Sequence, residues 1–169
     1  MKKIKLTQNK YALVDDADFE WLNQWRWCAY SKGGNGTKTY YAGSNNGKMN
    51  PIITNSKVKW VAMHRLITEC PKGMMVDHID GNGSNNQRKN LRICSMNSNS
   101  KNRTLNSNNK SGYKGVIYLK KAKGWRSYIR NNYKYFYGNL KFSKLEAAKE
   151  YNKLALKYHG EFARLNIFK

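Results

Sequence analysis

Acidic residues and prolines are scarce in this chain of 169 residues. It has 10 Asp and Glu against 32 Lys and Arg, so its formal net charge is +22. A protein with this charge repels itself unless a polyanion lies close to it, so a nucleic acid or an anionic membrane surface is the expected partner. Only 2 prolines occur, and 13% of the residues are aromatic, whereas basic disordered tails contain few aromatic residues. The composition therefore predicts a folded basic protein.

Cysteine pairs and long apolar runs are also missing. Cys28, Cys70 and Cys94 form no C-x-x-C pair, which excludes a zinc ribbon and argues against a disulfide framework. No run approaches the roughly 18 apolar residues of a membrane-spanning helix. No apolar run typical of a signal peptide follows Met1. We therefore expect a cytoplasmic protein with no membrane-spanning segment and no structural zinc. Of the two polyanions, nucleic acid is the expected partner and a membrane is not, and no organic cofactor is expected.

The charge is distributed unevenly, which suggests separate modules. Residues 1–60 carry a net charge of +6, residues 61–99 carry +2 and residues 100–169 carry +14. The first part reads as short strands at 11–14, 25–30, 39–42 and 58–61, with a turn at 33–36 and helix caps before Phe19. Its many Trp and Tyr residues favour a small β core over base stacking.

Candidate catalytic residues lie in the segment 75–94. An apolar stretch delivers Asp77 and His78 to the end of a strand, and a turn-rich loop and a return strand follow. A short polar helix after the return strand places Asn99 and Asn102 on one face, because they are three residues apart. An EF-hand calcium loop does not fit, since each possible starting aspartate leaves a required ligand or glycine position wrongly filled.

Residues from about Met63 to Asn102 resemble the HNH endonuclease family in its homing-endonuclease branch. The resemblance is carried by His64-Arg65-Leu66, by residues 76–82, by Asn85-Asn86 and by Asn90-Leu91-Arg92. It implies a ββα-metal nuclease core in which His78 is the general base and Asp77 with Asn99 binds a divalent metal. It also implies that Asn90 ties the loop together by hydrogen bonds. Asn102 replaces Asn99 as the ligand if the helix register differs.

These residue types suit the hydrolysis of a phosphodiester. A neutral histidine with a pKa near 6.5 can deprotonate the attacking water at physiological pH. A divalent cation can stabilise the departing alkoxide. Asp77 and Asn99 supply two oxygen ligands, and phosphate and water complete an octahedron, so Mg²⁺ or Mn²⁺ is the expected cofactor. Arg92 or Arg65 can bind a phosphate oxygen, the alternative being an ordinary surface or interface arginine. For His64, a structural hydrogen bond is favoured over catalysis.

Residues 112–169 predict three strands followed by a helix over 143–158. The segments 111–116, 124–130, 137–140 and 146–148 resemble the plant apetala/ethylene-response-factor DNA-binding domain. The resemblance implies a three-stranded antiparallel sheet that is packed on one helix and placed in the DNA major groove. Ile117 and Leu119 stand where plant members often carry Arg, so the base preference of that family does not transfer.

The alternation of residues sorts the two faces of this sheet. Trp125, Ser127 and Ile129 are predicted to face the helix, and the opposite face is predicted to contact DNA. The predicted DNA-binding residues are Arg126, Tyr128 and Arg130 by alternation, Lys114, Lys134 and Phe136 by the resemblance, and Arg92 in the nuclease core. The alternative for the lysines is a solvated face, but the net charge of +14 with few acidic residues favours DNA contact.

Together these patterns predict an α+β protein in four parts. They are a β-rich N-terminal segment (1–62), a ββα-metal nuclease core (63–104), an Asn/Ser linker (105–111) and an apetala-type DNA-binding domain (112–169). The predicted function is that of a sequence-specific, metal-dependent homing endonuclease. It would act on double-stranded DNA of the nucleoid or of a phage in a bacterial host, and a monomer is favoured. The alternatives are a DNA-binding regulator with an inactive nuclease site and a protein that binds structured RNA.

Overall fold

The computed structural model describes residues 1–31, 39–45 and 60–168. The chain divides into two compact units, Met1–Met96 (unit 1) and Asn97–Lys169 (unit 2). It is a mixed α and β protein built from small sheets, as the sequence predicts. The turn predicted at 33–36 and the start of the strand predicted at 58–61 lie outside the described residues. The four-part domain division stays a prediction.

The described residues of unit 1 form three small antiparallel sheets and two short helices. In chain order its elements are β1 (Lys2–Lys5), β2 (Tyr11–Val14), α1 (Asp16–Asn23), β3 (Cys28–Tyr30), β4 (Tyr41–Asn45), β5 (Trp60–Ala62), α2 (Met63–Ile67), β6 (Met75–His78) and β7 (Leu91–Cys94). The strands pair as β1-β2, β3-β4-β5 and β6-β7. Helix α3 (Met96–Lys101) begins at the last residue of unit 1.

The core of unit 1 forms because its strands and helices each bury one apolar face. Ile4 and Val14 from the β1-β2 hairpin are buried with Leu22 of α1 and Ile67 of α2. Trp27 joins them, and its indole nitrogen donates a hydrogen bond of 2.8 Å to the Leu22 carbonyl. A buried tryptophan that is also hydrogen-bonded stabilises such a small core, so Trp27 has the structural role predicted for the aromatic residues of this segment.

The N-terminal residues hold the loop between β6 and β7. The Leu13 amide donates to the Ser84 carbonyl at 2.8 Å, and the Asn86 amide donates to the Leu13 carbonyl at 2.8 Å. Strand β2 therefore pairs with this loop through a short parallel bridge between Leu13 and Asn85. Residues 11–23, which comprise β2 and α1, are called the N-terminal brace below.

Two aspartates of the brace bind the same loop through their side chains. The Asp15 carboxylate accepts hydrogen bonds from the Arg88 amide at 2.8 Å and from Gln87 Nε2 at 3.1 Å. Asp18 is 1% exposed and accepts two bonds from the Arg88 guanidinium, at 2.7 and 2.8 Å. A buried carboxylate is costly unless it is paired in this way, so the brace and the loop depend on each other.

We expect Asp18→Ala to lower the free energy of unfolding of the protein by about 2 kcal/mol, because it removes a two-point pair from a buried position. The measurement is equilibrium unfolding in urea. Glu20→Ala is the matched control, since Glu20 is on the same helix and its side chain is 80% exposed beside Lys2. Equal midpoints for Asp18→Ala and Glu20→Ala would contradict this account of the brace.

Unit 2 is a three-stranded antiparallel sheet packed on one helix. Its strands β8 (Val116–Leu119), β9 (Gly124–Asn131) and β10 (Lys134–Lys141) pair in the order β10-β9-β8, and α4 (Lys144–His159) follows them. Ser143 caps α4 by accepting a hydrogen bond from the Leu145 amide. Among the described residues, no helix is long and apolar enough to cross a membrane.

The core of unit 2 lies between α4 and one face of the sheet. Val116 and Ile129 of the sheet pack against small residues of α4 and against Tyr151. Gly115 has a φ of +66°, and a Cβ there would overlap the Tyr151 ring, so this close approach requires glycine. Leu156 of α4 is 57% exposed, so it lies outside this core.

Candidate active site

Asp77 and His78 are the last two residues of β6, where the strand enters the loop. β6 pairs with β7 in a register that sets Asp77 opposite Arg92 and His78 opposite Leu91. Both side chains are buried, with exposures of 5% for Asp77 and 6% for His78. The predicted catalytic pair is therefore placed at the end of a strand, as the sequence indicates.

Asn90 makes the hydrogen bonds that close the loop. Its Nδ2 donates to Asp80 Oδ1 at 3.0 Å and to the Asn85 carbonyl at 2.8 Å, and its Oδ1 accepts from the Asp80 amide at 3.0 Å. The Asp80 carboxylate also accepts bonds from the Asn82 amide and from Asn85 Nδ2. Partial burial would raise the pKa of Asp80, but these hydrogen bonds outweigh it and hold the pKa below its usual value. Asn90 thus makes hydrogen bonds across the loop, as the resemblance implies.

The His78 ring is held in a mostly buried environment. Its Nε2 lies 3.3 Å from Asn86 Oδ1. Burial lowers the pKa of His78, and the Asn86 amide and the carboxylates of Asp80 and Asp77 offset only part of this effect. The ring is therefore neutral at physiological pH, which is the protonation state that a general base needs.

Two further rings surround His78. His64 of α2 meets it edge-on with ring centroids 5.2 Å apart, and Tyr41 of β4 contacts both rings at 5.7 Å. His64 is buried beside His78. The structural hydrogen bond that the sequence favours for His64 stays a prediction.

Tyr41 is a site residue that the sequence does not indicate. Burial, and to a lesser extent the Asp77 charge, raises its pKa. Its ring packs on the backbone of Gly83, where a Cβ would lie 2.6 Å from the ring. A single tyrosine in an N-terminal strand carries no motif, so only the packing of β4 beside the loop reveals its position.

Arg92 is paired with the candidate metal ligand. Its Nε and a terminal nitrogen both donate to Asp77 Oδ2, at 2.9 and 2.6 Å, and its side chain is 15% exposed. Arg65 donates to the carbonyl groups of Cys70, Pro71 and Met74, so it closes the loop after α2. The prediction that either arginine is available to bind phosphate is therefore not supported by their contacts, because both are engaged within unit 1.

The two candidate asparagines lie at the end of the ββα segment. Asn99 is half-buried on α3, and Asn102 is buried just after it. Both belong to unit 2, whereas Asp77 belongs to unit 1, so their pairing with Asp77 stays a prediction. The described part of the chain contains no group of three or more His, Cys, Asp or Glu residues suited to a metal.

Comparison with known proteins identifies the family. A family model described as HNH endonuclease matches residues 61–101. "Uncharacterized HNH endonuclease L560" of Acanthamoeba polyphaga mimivirus is 31% identical over 137 residues, which cover 69% of this chain and 70% of that protein. The chain belongs to the HNH endonuclease family.

A phage protein is also similar to this HNH family member. "Protein 3.8" of Escherichia phage T7 is 41% identical over 59 residues, which cover 35% of this chain and 49% of that protein, so the match spans about half of its length. No solved structure matches the chain. The family match ends at residue 101, and the plant-type module predicted beyond it stays a prediction.

Unit 2 of this HNH protein has an open sheet face opposite α4. Strand alternation sets Arg126, Tyr128 and Arg130 on this face, while Ser127 and Ile129 are buried towards α4. Tyr137 pairs with Tyr128 and Tyr135 pairs with Arg130, so both tyrosines share the open face. They are 52% (Tyr135) and 57% (Tyr137) exposed, and their rings are stacked with centroids 6.2 Å apart.

Two predicted DNA-facing residues of β10 lie on the other side of the sheet. Phe136 pairs with Ile129, and its ring stacks on Tyr158 of α4 with centroids 4.1 Å apart. Lys134 shares the side of Phe136, because residues two apart in a strand point the same way. Directly opposite residues of an antiparallel pair share a face, and Ile129 faces the helix. The prediction that Phe136 and Lys134 lie on the same, DNA-facing side of the sheet as Arg126 is therefore wrong.

Lys114, which the resemblance sets on the DNA-facing side, has an ammonium group that binds backbone carbonyl groups of unit 2. Its Nζ donates to the carbonyl groups of Lys101 at 2.6 Å and of Arg103 at 2.8 Å. Burial, together with the nearby positive charge of Arg164, lowers the pKa of Lys114 to about 8. The ammonium group thus anchors the end of α3 within unit 2, which the sequence does not indicate.

Proposed function

We propose that this HNH family member is a sequence-specific, metal-dependent DNA endonuclease of the homing type. The observation that supports it most is that a buried, neutral His78 follows Asp77 at the end of β6, where the strand enters a loop closed by Asn90. A buried histidine with a lowered pKa beside a carboxylate is an arrangement that enzymes use for proton transfer. The substrate in this proposal is double-stranded DNA.

In this mechanism His78 removes a proton from the water that attacks the phosphorus, and the leaving group is the 3′ oxygen. The His78 ring packs against the rings of Tyr41 and His64, and these contacts limit its movement and its contact with bulk water. After the attack, the proton resides on the imidazole, where the carboxylates of Asp77 and Asp80 favour the charged form.

The donor set fits a hard divalent cation. The carboxylate of Asp77 and the amide oxygen of Asn99, or of Asn102, are the ligand types that Mg²⁺ and Mn²⁺ prefer. A carboxylate has two oxygens and about four lone-pair sites, so Asp77 can bind a cation while its Oδ2 accepts from Arg92. When bound, the cation would stabilise negative charge on the departing oxygen. Arg92 would then hold the Asp77 carboxylate in position.

The open face of unit 2 is the proposed DNA-binding surface. It presents Arg126, Tyr128 and Arg130, together with Tyr135 and Tyr137, in a segment whose net charge is strongly positive. Arginine can bind phosphate or read guanine, and tyrosine can pack on sugars and bases. A three-stranded sheet that packs on one helix and leaves a basic, aromatic face open is the arrangement expected of a plant apetala-type DNA-binding domain.

Cleavage of a randomised duplex library, followed by sequencing of the products, tests the proposed function. We expect cut or nicked products in Mg²⁺ or Mn²⁺ and none after addition of EDTA, because the leaving oxygen then lacks its stabilising charge. Cleavage that persists in EDTA would contradict the metal requirement. Tight duplex binding without any cleavage in either metal would contradict the nuclease assignment and support an inactive DNA-binding regulator.

A further inference from the structure

We infer that Asn86 is a positioning residue that fixes the orientation and tautomer of His78, and that the N-terminal brace is the element that holds Asn86 in place. The inference deepens the proposed function, since it concerns the residue proposed there as the general base. It also assigns the N-terminal residues a role in the active site. Their net positive charge by itself suggests only contact with nucleic acid.

The amide of Asn86 has a defined orientation. Asn86 is 0% exposed, and its Nδ2 donates to the Ser84 carbonyl at 3.2 Å. A carbonyl can only accept a hydrogen bond, so the nitrogen of the amide must face Ser84 and the oxygen must face His78. The 3.3 Å contact is therefore a bond from His78 Nε2–H to Asn86 Oδ1.

This contact selects one form of the neutral ring. If Nε2 carries the proton, the lone pair of the neutral imidazole is on Nδ1. Nδ1 is then the atom that accepts the proton of the attacking water. The opposite tautomer would place two acceptors, Nε2 and Asn86 Oδ1, against each other in a buried site, which is unfavourable.

The position of Asn86 depends on the brace. Its backbone amide donates to the Leu13 carbonyl at 2.8 Å, and the next two residues are bound through the side chains of Asp15 and Asp18. The carboxylate of Asp18 is buried, so this contact cannot be replaced by water without cost. Because β2 and α1 precede Asp77 and His78 by more than 50 residues, the motif alone does not reveal this dependence.

The first test is the tautomer of His78 in the wild-type protein without DNA. Long-range ¹H–¹⁵N correlation spectra at pH 8 distinguish the two neutral tautomers, and the His78 signals are those that disappear in His78→Ala. We expect an Nε2-protonated ring. An Nδ1-protonated ring in the wild type overturns the inference, and this measurement needs no variant of Asn86 and no cleavage assay.

The second test uses Asn86→Leu, which removes the acceptor while keeping a similar volume. We expect mixed tautomers of His78 and a single-turnover cleavage rate lowered about 100-fold, with a DNA dissociation constant within about twofold of wild type. Asn86→Asp keeps an acceptor at the same place and is expected to retain the Nε2-protonated ring even if Asn86→Leu does not fold. Asn23→Leu, the same change at an exposed position of α1, is the control and is expected to match wild type.

A wild-type tautomer population or a wild-type cleavage rate in folded Asn86→Leu overturns the inference, as does loss of the Nε2-protonated ring in Asn86→Asp. Failure of the proposed function gives a different pattern. In that case the wild-type ring is Nε2-protonated, but no DNA is cleaved by any variant or by the wild type. That result supports the assigned orientation of His78 and contradicts its use as a general base.

Discussion

His78→Ala is expected to lower the single-turnover rate of DNA cleavage by about 100- to 10,000-fold, which is the usual contribution of a general base. The physical reason is that the His78 ring can accept the proton of the attacking water. Burial holds its pKa below the usual value, so the ring is neutral before the reaction. DNA binding should change little, since a buried ring contributes little to a phosphate interface. The measurement is cleavage of a selected target duplex in Mg²⁺, with the dissociation constant determined separately.

The matched control is Ile93→Ala, which shortens an exposed side chain on the partner strand β7. It should cleave at nearly the wild-type rate. The wild-type rate should fall with decreasing pH only below the lowered pKa of His78, because the ring stays neutral above it. Wild-type cleavage by His78→Ala would show that another group removes the proton and that the site assignment is wrong.

Removal of residues 106–169 is expected to weaken DNA binding by about 100-fold or more at physiological salt, because it removes 15 basic and only 3 acidic residues. It should also reduce sequence selectivity and flatten the plot of log K against log salt. The reason is that the slope falls by about 0.9 for every phosphate that the shortened protein no longer neutralises. An unchanged slope would contradict the assignment of unit 2 as the DNA-binding module.

A pair of charge variants tests which side of unit 2 binds. Arg126→Ala with Arg130→Ala removes two charges from the open face, and Lys149→Ala with Lys153→Ala removes two from the exposed side of α4. We expect the first pair to reduce affinity and the salt slope clearly more than the second, because only the open face contacts DNA in the proposal. Equal reductions would indicate that net charge alone drives binding.

Much of unit 2 could be predicted because its pattern is local. Strand alternation placed Ser127 and Ile129 against α4, and the Ser143 cap and the helix end follow from neighbouring residues. For Phe136 the resemblance indicates the DNA-facing side of the sheet, whereas cross-strand pairing sets it on the side of α4. Pairing with Ile129 decides the face, and it depends on the register of two strands.

In unit 1 the motif predicted the residues but not their surroundings. Asp77, His78 and Asn90 lie close in sequence, so a strand, a loop and a return strand suffice to bring them together. Tyr41 comes from a distant strand, so its place in the site could not be predicted. Arg92 was expected to be available for phosphate, but the register of β6 and β7 sets it opposite Asp77, where the two charges pair.

The sequence by itself determined that this protein is basic and folded, that it carries the HNH residues in order, and that its C-terminal part alternates as a sheet before a helix. These properties depend on composition and on residues near each other in the chain. Only the tertiary structure decided that the N-terminal brace supports the loop through Asp15 and Asp18, that Asn86 binds His78, and that Lys114 is structural. The contacts of the brace join residues that are far apart in sequence. Those of Asn86 and Lys114 join nearer residues, but they depend on burial and on hydrogen-bond geometry, which only the three-dimensional arrangement determines.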